Sequence, residues 1–175
     1  MTPIGPGIVA ARISLVLVVS LTLQVTILSD LRLFGVQGDL MLLVALAAGL
    51  AAGPERGAAI GFASGLLYDL MLQTPCGLSA LTYAVMAFLV GSLQDSVLRA
   101  AWWIPVSTAA AGSALGVILY VVFGTVVGVE YLGVSIPKIV VLVALLNSVM
   151  AAPTIRVLRW ATGTQDSVRA RAVYR

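Results

Sequence analysis

Apolar residues run through almost the whole 175-residue chain, and the polar positions gather in short joints between them. Six apolar segments result, roughly Ile13–Ser29, Leu40–Ala52, Gly57–Leu72, Gly77–Leu93, Ile104–Val129 and Ile136–Val157. Backbone groups in hydrocarbon must be satisfied within their own segment, so each run predicts a helix. The expected fold is all-α: one polytopic membrane domain over residues 1–175, with six transmembrane helices and a basic cytoplasmic tail from 158 to 175. The second run is short. At 1.5 Å per residue it covers about 20 Å of a core about 30 Å thick. It borrows from Gly35–Gly38, lies where the bilayer is thinned, or is re-entrant. The third run is also short, and the tight Pro54–Glu55–Arg56 joint makes the two a helical hairpin. The first run lacks a small-x-small cleavage site before Asp30–Leu31–Arg32, so it reads as a retained helix and not a signal peptide.

Composition strengthens this picture. Hydrophobic residues make up 61% of the chain and charged residues 10%, too few to form the polar skin of a soluble domain. Histidine is absent and Cys76 is the single cysteine, which removes the usual zinc, haem and iron–sulfur ligand sets, His-based nucleophile systems and any intrachain disulfide. No cofactor is expected. The net charge of +3 does not point to nucleic acid, because five of the ten basic residues (Arg156, Arg159, Arg169, Arg171, Arg175) lie in the last twenty. Such a tail reads as an anchor facing anionic lipid. With six spans, Arg12, Arg56, Arg99 and the tail fall on one side, and Arg32 and Lys138 on the other. Eight against two places both termini in the cytoplasm. Trp102, Trp103 and Trp160 then sit at the cytoplasmic border, where indoles prefer to lie.

The candidate chemistry centres on Gly57, Gly61, Gly65 and Asp69, which recur every four residues and so lie on nearly one helix face. Three glycines there form a groove that a neighbouring backbone can enter. Asp69 on the same face points toward protein, and the favoured reading is a tie to a neighbouring helix or to the Gln73–Gly77 turn. An intramembrane acid is also a functional candidate by default. Asp39 opens the second span, and two facing carboxylates that share a proton are how aspartyl proteases activate water. Tyr68–Asp69 resembles the Tyr–Asp pair of intramembrane aspartyl proteases, but the Gly35-Val36-Gln37-Gly38-Asp39 run has the wrong spacing and order for their second motif. Asp39 is better read as a helix cap. Asn147 in the sixth span predicts an interhelical hydrogen bond, and Pro153 a kink at the helix exit. Gln24 and Ser20 offer similar bonding in the first span. The pairs Gly112/Gly116 and Gly124/Gly128 are further close-packing candidates, and Lys138 is expected to snorkel.

The stretch Gly61–Leu81, GFASGLLYDLMLQTPCGLSAL, resembles the signature of the rod shape-determining MreD family: Gly-Phe-x-x-Gly-Leu-Leu-x-Asp, then a short joint to a Gly-Leu-x-Ala-Leu helix start. The Asp-led run before it, GDLMLLVALAAGLAAGPERGAAI, fits the same pattern, and LLNSVMAAPTIRVL is similar to that family's last span. Cys76 within the Pro-x-Gly joint departs from the pattern, and the first span and the tail carry no signature. The resemblance implies a non-enzymatic subunit of the bacterial cell-elongation machinery in the plasma membrane. Its implied partners are an MreC-type scaffold protein and the glycan polymerase and transpeptidase of lateral wall synthesis. It also implies six spans and an architecture similar to the substrate-binding subunits of ECF-type vitamin transporters. Gly57, Gly61, Gly65, Asp69, Gly77 and Asn147 carry over as helix-packing or partner-contact residues.

Two readings follow: a scaffold that recognises other membrane helices through its glycine grooves, and a transporter subunit that binds a small solute. The first span, ISLVLVVSLTLQVTIL, lacks the Ala-x-x-x-Ala surface of such transporter subunits, and the outer loops are short and poor in aromatic and polar groups, which favours the scaffold. Orientation is testable at Cys76. An impermeant thiol reagent should label it in intact cells, and labelling only after membranes are opened would reverse the topology.

Overall fold

A computed structural model describes residues 5–28, 30, 32–71, 76–94, 103–129, 131 and 135–163. Arg99, Trp102, the Gln73–Pro75 part of the third joint and the tail beyond 163 lie outside the described residues. Among the described residues six α-helices stand in chain order. They are α1 (Pro6–Leu23, extended by one π-turn over Gln24–Leu28), α2 (Leu40–Ala52), α3 (Pro54–Met71), α4 (Leu78–Ser92), α5 (Ile104–Val126) and α6 (Ile136–Thr162).

The boundaries differ from expectation where local chemistry extends a helix. Proline at the first turn, where no N–H is needed, starts α1 at Pro6, so Arg12 lies inside the helix. Pro54 does the same for α3, so the expected Pro54–Glu55–Arg56 joint is that helix's first turn. The hairpin turn shrinks to Gly53, whose φ of +87° reverses the chain. Helix α6 runs through Pro153 to Thr162, and Gly163 in the left-handed region closes it. Among the described residues three helices are long and apolar enough to cross a membrane: α1 with its π-turn (Pro6–Leu28), α5 and α6. The apolar helices α2 and α4 are shorter.

These two groups play different parts. Helices α2, α3 and α4 pack closely on one another, while α5 and α6 pair with each other and flank α2. Helix α1 touches α6, α2 and α3. The core is α2 itself: every residue from Leu40 to Ala51 is buried. Its length therefore does not have to match a bilayer, because its sides meet protein. It does not borrow from Gly35–Gly38 either. Leu33 and Val36 exchange backbone hydrogen bonds of 2.9 and 3.0 Å across Phe34–Gly35, and no helix forms between there and Asp39. The apolar surface of the outer helices faces away from the core, as Leu15 and Val18 on α1, Leu115 and Val122 on α5, and Val141 and Val149 on α6 show. Such faces suit hydrocarbon or another membrane helix.

The close approach within the inner group depends on missing side chains. A Cβ on Gly65 would lie 2.5 Å from the Ala80 backbone, one on Gly57 2.5 Å from Gly49 Cα, and one on Gly91 2.7 Å from the Pro54 backbone. Backbone cannot yield as a side-chain tip can. Gly65→Ala should therefore lower stability by about 1–3 kcal/mol. Gly112→Ala should cost less, because its Cβ meets side-chain methyls of Leu46 and Val90 and not backbone, and Gly7→Ala should be neutral or stabilising, with nothing within 4 Å. Thermal unfolding of the three variants in detergent measures this order.

Candidate functional site: the capped start of the buried helix

A helix begins with four N–H groups that its own backbone cannot satisfy. In α2 these groups are enclosed, and side chains from elsewhere in the fold reach them. Asn147 Oδ1 on α6 accepts from the Asp39 N–H at 3.1 Å, and Gln24 Oε1 accepts from the Leu40 N–H at 2.8 Å. The Asp39 carboxylate accepts from the Leu42 N–H at 2.9 Å and faces the Met41 N–H. The amides work in both directions: Gln24 Nε2 donates to the Gly38 carbonyl at 3.0 Å, and Asn147 Nδ2 donates to the Asp39 carbonyl at 2.9 Å. Asn147 Nδ2 also donates to Ser113 Oγ on α5 at 2.9 Å, and the Tyr83 hydroxyl on α4 donates to Asp39 Oδ2 at 2.6 Å. Gln24, Ser113, Asn147 and Tyr83 are all buried. The start of α2 thus joins α1, α4, α5 and α6. Gln24 leaves its helix where the α-turns give way to the π-turn.

Asp69 does a parallel job for α4. Gly77 caps α4 with φ +100°, a conformation that favours glycine, and has no side chain to offer the helix N–H groups. Asp69, near the end of α3 and 3% exposed, accepts instead from the N–H groups of Gly77 (2.9 Å), Ser79 (3.0 Å) and Ala80 (3.2 Å). The two carboxylates sit at the same end of the bundle but face different helix starts. Asp39 is engaged with α2 and Tyr83, and Asp69 with α4, which is not the shared-proton arrangement of an aspartyl protease.

The glycine face divides between two neighbours. Gly57 meets Gly49 of α2, Gly61 meets Tyr83 and Ala87 of α4, and Gly65 meets Ser79 and Ala80. The chain's own helices fill these grooves, so recognition of a partner through them, as the sequence suggests, has no open groove to use. Gly112 and Gly116 face Leu46 and Leu42 of α2, but Gly124/Gly128 is not a packing pair. Gly124 faces Tyr131, and Gly128, at φ +88°, lies just past the end of α5. Ser20 is buried in α1, Lys138 and Trp103 are exposed, and the exposed Cys76 lies at the Asp69 end. Sequence reasoning missed Tyr83, Ser113, Gly49 and Gly91. A tyrosine inside an apolar span was a usable signal, because a buried phenol needs a partner. Nothing local singles out Ser113.

At the other end of the bundle, the Arg12 guanidinium lies 4.7 Å over the Trp160 ring and donates to the Trp160 carbonyl at 3.4 Å. The start of α1 and the end of α6 are therefore on one side.

The buried polar ties, the glycine contacts and the outward apolar faces define a helical membrane protein whose interior polar groups hold helices to one another. The chain belongs to the MreD family: residues 8–110 match the rod shape-determining protein MreD. A part in determining rod shape comes with that membership. No curated protein and no solved structure matches the chain at a significant level.

Asp69→Ala should cost about 1–3 kcal/mol, because three helix-start N–H groups lose their acceptor. Asp69→Asn, which still accepts, should cost under about 1 kcal/mol. Unfolding in detergent compares the two, and equal losses would mean that the charge, and not the hydrogen bonding, is what the site needs.

Proposed function

We propose that this protein is a non-enzymatic membrane subunit of the bacterial cell-elongation machinery, regulating lateral wall synthesis through association with an MreC-type scaffold, a glycan polymerase and a transpeptidase. The observation that carries the reading is how the interior polar groups are used. Asp39, Asp69, Gln24, Asn147 and Tyr83 bond to helix starts and to one another, as structural ties do. In this reading residues 1–175 form a single domain of six spans close to the six helices, in the plasma membrane. The likeness to ECF-type substrate-binding subunits belongs to the same reading. Both termini are cytoplasmic, which the Arg12–Trp160 contact supports by joining the two ends, with the tail from 158 on that side. Gly57, Gly61, Gly65, Asp69, Gly77 and Asn147 serve internal packing. The partners then dock on the outward apolar faces.

Co-purification in mild detergent tests this. The chain should retain an MreC-type partner from membranes, and an Asn147→Leu variant should lose that partner only in proportion to its loss of folded protein. A stably folded chain that captures no elongation protein under conditions where those proteins hold one another would overturn the assignment.

A further inference from the structure

At the end of the bundle where α1 and α3 begin and α6 finishes lies a cleft of about 530 Å³. That size falls within the roughly 300–1,000 Å³ of small-molecule sites. Helix α1 leans on α6 more than on α3, and the cleft occupies the gap left on its α3 side. Its walls are apolar, with Val9 and Ile13 from α1 and Ala59 and Ile60 from α3. Two polar side chains join them: Arg56, in the first turn of α3, and Gln94, just past the end of α4.

Neither polar side chain is taken up by the fold. Among the described residues Arg56 and Gln94 have no side-chain hydrogen bond or ion pair, and Arg56 is exposed, so its charge stands at the opening. A second cation borders the same opening. The Trp160 carbonyl accepts from the Arg12 guanidinium and from the Gly163 N–H at 3.3 Å, and Gly163 lines the cleft. That bond uses one of five guanidinium N–H donors. The acid nearest in sequence, Glu55, is exposed and outside the lining, and no acidic residue lines the cleft among the described residues. The exposed Trp160 indole beside it marks headgroup depth. The cleft thus offers two cations and an amide at its mouth and apolar walls behind them. That set complements an anion joined to a hydrocarbon chain.

We propose that this cleft binds a phospholipid whose headgroup carries a net negative charge, as phosphatidylglycerol does. Its phosphate accepts from the Arg56 and Arg12 guanidiniums, a headgroup oxygen meets the Gln94 amide, and an acyl chain lies along Val9, Ile13 and Ile60. A free phosphate ion would leave the apolar walls uncovered. A choline or ethanolamine group would bring a further cation to a mouth that already holds two. The inference goes beyond the scaffold reading and does not depend on it.

Thermal unfolding of the full chain, delipidated in maltoside detergent, tests the site with dioleoyl-phosphatidylglycerol, dioleoyl-phosphatidylcholine and inorganic phosphate as probes. Phosphatidylglycerol should raise the unfolding temperature saturably, at concentrations about ten-fold below those phosphatidylcholine needs, and phosphate should have no effect in that range. Arg56→Gln should weaken the response about five-fold or more, and Ala59→Phe, which fills the cleft, should abolish it. Both positions are exposed, so the two variants should unfold near the parent's temperature without lipid. Arg156 is exposed and outside the lining, so Arg156→Gln should keep the full response. Equal responses to the two lipids, equal losses in Arg56→Gln and Arg156→Gln, or a response that survives Ala59→Phe would overturn the proposal. So would a response to inorganic phosphate that matches phosphatidylglycerol, which would make the ligand a free ion.

Discussion

A helix surrounded by protein has no water to satisfy the polar groups at its ends, and α2 is such a helix from Leu40 to Ala51. Everything else in the bundle is arranged around that constraint. Two amides and one phenol converge on the start of α2 from three other helices and join the helix's own Asp39 carboxylate, because each unpaired N–H or carbonyl there would cost about 1–3 kcal/mol. Removing any of them would leave a buried group unpaired, so the cap acts as a single unit that fixes where α1, α4 and α6 stand. Asn147 shows the economy of the arrangement: one side chain accepts from Asp39 and donates to both Asp39 and Ser113, tying three helices.

The glycines supply the other half of the design. Between lipid-embedded helices the hydrophobic effect gives little preference for protein over lipid, so close packing and interhelical hydrogen bonds must hold them. Gly49, Gly57, Gly61, Gly65 and Gly91 let the backbones of α2, α3 and α4 touch where a side chain would intrude. That contact also brings the end of α3 beside the start of α4, within reach of Asp69. Packing and capping therefore support each other: the short helices come close because they lack side chains, and their ends are satisfied because they are close.

For a rod shape-determining protein this division has a consequence. The residues that first draw attention as polar outliers in an apolar chain are largely committed to internal order. The surfaces left for lipid and for other membrane proteins are apolar, on α1, α5 and α6 and on the outward sides of α3 and α4.

Much of the helix order was legible in the chain, because the need to satisfy backbone groups inside an apolar environment leaves helices as the answer wherever an apolar run is long enough. Asp39 as a cap, Asn147 as a bonding residue and the glycine face were legible too, since spacing and residue type carry them. The chain could not show which neighbour each glycine meets, that α2 is enclosed and α1 is not, or that Tyr83, 44 residues away, bonds to Asp39. Those facts depend on which helices lie side by side, and period and composition are nearly the same for every apolar span.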